Sequence, residues 1–75
     1  MITIETTSGA TYEVDLETMH IRRDGPRAET DPDKPDGEWL AIVDAGTPVP
    51  GKSMWFMFRD GRVRTTTAVS RVVAR

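Results

Sequence analysis

Apolar side chains fall on every second position along much of this chain, the period of a half-buried strand. Ile2, Ile4 and Thr6 alternate with Thr3, Glu5 and Thr7. Tyr12, Val14 and Leu16 then alternate with Thr11, Glu13, Asp15 and Glu17. Between the two runs, Thr7-Ser8-Gly9 is turn chemistry, so the pair reads as a hairpin with a glycine-containing loop. Met19 and Ile21 against His20 and Arg22 predict a third strand, reached through a short bend near Glu17-Thr18.

The second half repeats the theme with more apolar weight. Trp39-Leu40-Ala41-Ile42-Val43 is a continuous apolar run, as expected of a central strand covered on both faces, with Trp39 in the core. A Pro/Gly connection over 46–52 leads to Met54–Arg59, where Met54, Phe56 and Phe58 form a core row. Trp55, Met57 and Arg59 occupy the other face, which is unusually apolar for a wet one. Asp60-Gly61 reads as a two-residue primed turn, with Arg59 and Arg62 flanking it directly. On the next arm, Arg62 to Thr67, Arg62 and Arg64 share a face. The end, 68–75, reads as a last strand with an irregularity; a short helix competes, since Val69, Val72 and Val73 also fit i, i+3, i+4. The sum is an all-β fold of six to seven short strands, closed as a small antiparallel barrel or roll.

One stretch breaks the pattern. Residues 24–38 hold three prolines, two glycines and no large apolar side chain, and are expected to form a long mobile acidic loop. The chain of 75 residues reads as a single small β domain spanning 1–75, with a thin core and no cysteines to staple it. Net charge is −2 but uneven: residues 1–44 carry eleven acids and four bases, a net of −7, and residues 45–75 carry one acid and six bases, a net of +5. Such asymmetry steers a partner or links protomers, or it is neutralised between neighbouring strands. No apolar run approaches the ~18 residues of a membrane span, and the start Met-Ile-Thr-Ile-Glu has no basic region before an apolar one, so a soluble cytoplasmic protein is expected.

Candidate chemistry is sparse. His20 is alone and on the expected outer face. Asp31, Asp33 and Asp36 are reminiscent of a calcium loop, but Asp36 stands where the glycine is needed and Ile42 where the glutamate is needed. Ser53 and Ser70 have no evident base. Gly46 to Ser53 matches the phosphate-loop spacing literally, yet Pro48 and Pro50 remove amides from the cradle and a strand follows where a helix is required. No catalytic residue, metal ligand or cofactor is therefore assigned. The one site-like feature is Trp55 and Met57 with Arg59, Arg62 and Arg64. Trp and Arg are favoured anchors of protein interfaces, and the same set can stack bases and hold phosphates.

Thr7-Ser8-Gly9 followed by Tyr12, Val14 and Asp15, then Ile21-Arg22-Arg23, Gly37-Glu38-Trp39, the apolar run 54–58 and the Thr/Val-rich end resemble a loose group of small proteins of actinobacteria and their phages. The resemblance implies a compact β fold and a non-enzymatic accessory role. It brings no catalytic residues. The Arg-rich, Lys-poor composition agrees with a GC-rich genome. The expectation is a protein-binding module for a host or virion protein. Single-stranded nucleic-acid binding and a structural homo-oligomer, formed through strand edges or the Trp55 and Met57 face, stand as alternatives.

Overall fold

The structure is a computed structural model and describes residues 1–26 and 35–74. Six antiparallel strands follow one another around a closed barrel: β1 (Ile2–Thr6), β2 (Thr11–Asp15), β3 (His20–Asp24), β4 (Leu40–Ala45), β5 (Ser53–Phe58) and β6 (Val63–Ala74). The expected all-β barrel is therefore the observed fold, with six strands. Most of the stretch expected to be a mobile loop, including Asp31 and Asp33, lies outside the described residues. Among the described residues there is no helix, hence none long and apolar enough to cross a membrane.

Period-two alternation fills the interior. Ile4, Tyr12, Val14, Ile21, Ile42, Met54, Phe56, Phe58 and Val69 are all buried, so every strand contributes at least one side chain. Tyr12 and Phe56 meet across the middle, ring centroids 5.4 Å apart. The core row Met54, Phe56 and Phe58 is as the alternation predicts.

Both tight hairpins use one device. In the β1–β2 hairpin the Gly9 amide donates to Thr6 O and the Thr6 amide to Ala10 O, each at 3.0 Å. In the β5–β6 hairpin the Gly61 amide donates to Phe58 O at 3.0 Å and the Phe58 amide to Arg62 O at 2.9 Å. Gly9 and Gly61 take φ of 89° and 86°. Each loop thus has three residues and closes on a glycine in the left-handed region. This corrects the two-residue turn expected at Asp60-Gly61. Arg59 belongs to the loop, and Arg62 faces Phe58 rather than Arg59. The Arg62 charge is paired within the turn, where Asp60 Oδ2 accepts from Arg62 Nε at 2.8 Å.

The end of the chain is neither a separate strand nor a helix. β6 runs for twelve residues, pairing its first half with β5 and its second half with β1. Register shifts on both sides give β6 an extra residue against each partner, which is why Val69, Val72 and Val73 do not keep period two.

The apolar run at 39–43 is also corrected. Trp39 precedes β4 and is 41% exposed, lying outside the barrel with the Arg22 guanidinium 5.0 Å from its ring. Arg22 is held in turn by Glu13 at 2.7 Å, its partner across the β2–β3 ladder. A register shift between Ile42 and Asp44 leaves Val43 as an extra residue facing solvent. β4 therefore has one covered face, as a barrel wall must. Leu16, expected on the inward row of the second strand, lies beyond the end of β2 and is exposed.

Thr3 is buried outside the core row, between Glu13 and Val73, and its Oγ1 has no hydrogen-bond partner among the described residues. A buried hydroxyl left unpaired costs about 1–3 kcal/mol. Thr3→Val keeps the side-chain shape and is expected to stabilise the fold by about 1 kcal/mol, read as a rise in Tm of roughly 4–8 °C for a domain of this size.

The β2–β3 turn supplies a pH-dependent element. Asp15 Oδ1 accepts the amides of Glu17 at 3.0 Å and Thr18 at 3.4 Å. Desolvation pushes its carboxyl up, but these donations, the Thr18 hydroxyl and the N-terminal charge outweigh it and hold it below its ordinary value. A depressed carboxyl contributes stability that is present above its unfolded value and is lost as pH falls through the folded one. Amide exchange at Glu17 and Thr18, followed by NMR, is expected to accelerate below pH 3.8, the ordinary aspartate value, beyond the change seen at Gly9.

Candidate interaction surface on the outer wall

The expected site residues divide between two faces of the barrel. Trp55 and Met57 point outward from β5, since Met54, Phe56 and Phe58 fill the inward positions. Met57 is paired in the ladder with Asp44 on one side and Val63 on the other, and Trp55 with Thr65. Around them Val43 and Val63 are 51% and 52% exposed, and Trp55 37%. The bulge in β4 that turns Val43 outward thus adds an apolar side chain to the wall that the alternation alone does not provide. Val43, Trp55, Met57 and Val63 make a solvent-facing apolar patch across β4, β5 and β6, with the exposed Asp44 beside Met57 as its one acidic side chain among the described residues. Arg59 and Arg62 stand at the hairpin end of this wall, exposed, with Arg62 bracing Asp60.

Arg64 does not join them. It is 9% exposed and turned into the barrel, its guanidinium 5.3 Å from the Phe58 ring centroid. This corrects the expectation that Arg62 and Arg64 share a face. The three-residue loop leaves Arg62 at the turn, so the inward and outward alternation of β6 begins at Val63. Arg23 also faces the interior, opposite Tyr12 in the ladder, and is ion-paired to Asp36. Burial pulls the Arg23 guanidinium down, but the Tyr12 oxygen and Asp36 outweigh it and keep it above its ordinary range.

Trp55 owes its position to a glycine. A Cβ built on Gly46 would fall 2.6 Å from the indole Nε1 and 2.9 Å from Cδ1, so the ring lies directly on the Gly46 backbone. The Gly46 amide donates to Trp55 O at 2.9 Å, fixing the two chains at this approach. Trp55 is therefore a half-covered side chain on the outside of the wall, with one part committed to Gly46.

That use of Gly46 also settles the phosphate-loop spacing. The Gly46, Gly51 and Lys52 amides donate to the carbonyls of Trp55, Val69 and Val49, and β5 begins at Ser53 where a helix is needed. The segment is a strand connection whose glycine amides are already committed to the barrel. His20 Nδ1 lies 2.8 Å from Thr18 O. Among the described residues no group of three or more His, Cys, Asp or Glu is placed to hold a metal.

Gly46→Ala is expected to displace the indole and destabilise the fold by about 1–3 kcal/mol, the usual cost of overpacking. In a Trp55→Ala background the same substitution is expected to cost much less. Thermal melts of the four proteins close the double-mutant cycle.

Comparison with family models, with curated proteins and with solved structures finds no match to this chain, so the outer wall is read from its own geometry.

Proposed function

We propose that this barrel is a non-enzymatic protein-binding module whose contact face is the outer wall of β4, β5 and β6. The observation that carries the reading is the apolar patch Val43, Trp55, Met57 and Val63, bordered by Arg59 and Arg62. A half-exposed tryptophan held rigid on a glycine is a low-entropy anchor of the kind that dominates interfaces. Valines and a methionine around it give the apolar centre, and the arginines give a polar rim selective for acidic groups. The partner class is a protein with an apolar face flanked by carboxylates. The resemblance to small proteins of actinobacteria and their phages makes a host or virion protein in the cytoplasm the partner to look for.

Of the alternatives, nucleic-acid binding loses Arg64 from its phosphate contacts, because that side chain is turned inward. Part of Trp55 is also occupied by Gly46 rather than open to a base. Self-association through strand edges has little to work with in a closed barrel, which has no free edge. Pairing of the same apolar wall between two copies remains a use of this face and is separated by mass.

Two substitutions at outward-facing positions, one exposed and one half-buried, test the wall without touching the core: Val63→Glu and Met57→Lys. Both are expected to keep the Tm within a few degrees and to abolish capture of a defined partner, identified from an actinobacterial lysate and then purified for titration. Arg62→Glu is expected to weaken that binding and to remove most of its salt dependence. Retention of partner affinity by Val63→Glu, Met57→Lys and Arg62→Glu together would exclude this surface. A dimer mass in light scattering that both wall variants convert to a monomer would assign the face to self-association.

A further inference from the structure

Every strand of the barrel has a neighbour on both sides, but β4 outruns β3. The last bond of that seam runs from the Ile42 amide to Met19 O at 2.9 Å. Met19 has a φ of 55°, the one non-glycine residue with positive φ among those described, and there the chain swings in from the β2–β3 turn. Past Ile42, no β3 residue lies in register beside β4 among the described residues, while β4 runs on to Ala45 and keeps its β5 ladder.

That ladder fixes where the overhanging backbone points. The Gly46 amide donates to Trp55 O at 2.9 Å, so these two residues are a hydrogen-bonded pair. In an antiparallel ladder such pairs alternate with non-bonded ones, whose amide and carbonyl point away from the partner strand. Ala45, opposite Phe56, is the alternate residue, so its N–H and C=O face the lane that β3 leaves. The N–H is capped locally: it donates to Asp44 Oδ1 at 2.8 Å. Such a side-chain bond to a neighbouring amide competes with strand pairing, and an arriving strand can replace it.

Beside the same lane lies an apolar cavity of about 340 Å³, lined by Leu16, Met19, Ala45, Pro48 and Met54 among others. Leu16, at its mouth, is 53% exposed. The Ala45 side chain points inward, as it opposes the buried Phe56 and packs against the core. Residues directly opposite each other in a ladder share a face. A residue bonded to Ala45 therefore also sends its side chain into the cavity. About 150 Å³ is enough to take benzene, so a phenylalanine or leucine side chain fits.

We propose that this end of β4 binds an extended peptide by strand addition. One peptide residue, antiparallel to β4, exchanges both backbone bonds with Ala45 and places a large apolar side chain against Leu16, Met19 and Met54. Main-chain pairing supplies affinity, and the cavity supplies the preference for an apolar residue. The site goes beyond the outer wall, which lies on the solvent face of the same strands.

The test uses the full chain with ¹³C-labelled methionine methyls and ¹⁵N-labelled amides. It is titrated with a blocked peptide bearing a central phenylalanine between threonines, with its central-alanine analogue, and with the phenylalanine peptide N-methylated at that residue. The first is expected to shift Met19 and Met54 saturably, to leave Met57 on the outer wall unmoved, and to slow exchange of the Ala45 amide. The alanine peptide is expected to bind about tenfold more weakly or worse, from the loss of one buried apolar side chain. N-methylation removes the donor to Ala45 O and is expected to abolish binding. Asp44→Ala releases the Ala45 amide and is expected to tighten the phenylalanine peptide about two- to tenfold, the range of one hydrogen bond. Leu16→Ala, at an exposed position, is expected to weaken it. Val63→Glu, on the outer wall, is expected to leave it unchanged, so the two surfaces fail or stand separately. Absence of saturable shifts at Met19 and Met54, equal affinity for the N-methylated peptide, or shifts centred on Met57 would each overturn the assignment.

Discussion

The structure depends on one strand serving two neighbours. β6 is long enough to complete the β5 ladder and then to reach β1, and that second pairing turns a six-stranded ribbon into a cylinder. Closure matters more here than in a larger protein, because a chain of this length buries a small core and has no disulfide to add to it. The bulges in β6 allow the sheet to bend through the required angle while Arg64, Thr66 and Val69 stay inside. Without closure β1 and β6 would be free edges.

Closure also decides which side chains are available for function. A barrel this narrow has an interior filled by side chains, so recognition has to use the outside of the wall or its ends. Gly46 lies where the two meet. By lacking a side chain it lets Trp55 lie flat on the outer wall, and its inner side borders the open end of the barrel. An apolar outer wall edged by arginines and the apolar open end of the barrel are thus built from opposite sides of the β4–β5 connection.

Alternation was legible wherever the chain keeps strict period two: β1, β2, β3 and β5, with their core rows, follow directly from Ile4, Tyr12, Val14, Ile21 and Phe56. What the sequence hid lies at bulges and turns, where one residue changes the parity of everything after it. The three-residue loop at 59–61 reverses the facing of Arg64, and the extra residue Val43 exposes one side of a run that reads as fully buried. Asp-Gly fits either turn length, and nothing in the side chains selects between them. Trp39 misled for a different reason: its apolar ring is covered outside the barrel by Arg22 rather than by the core. For the site, Trp55 and Met57 were readable from their face, whereas Val43, Val63 and the cavity depend on cross-strand registers that only the closed barrel fixes.

The β3–β4 seam is the thinnest in the cylinder. Among the described residues only His20 with Ala41 and Ile21 with Leu40 are in register, extended by the bonds from Gly37 to Arg23 and from Ile42 to Met19. A closed ring shares mechanical load among its seams and parts first at the weakest. Local opening is therefore expected between β3 and β4, splitting the ring into a sheet whose other five ladders persist. Such an event exposes Ile21 and Ile42 without melting the hairpins, and it makes the barrel's slowest-exchanging amides those of β6 and β1, farthest around the ring from the split.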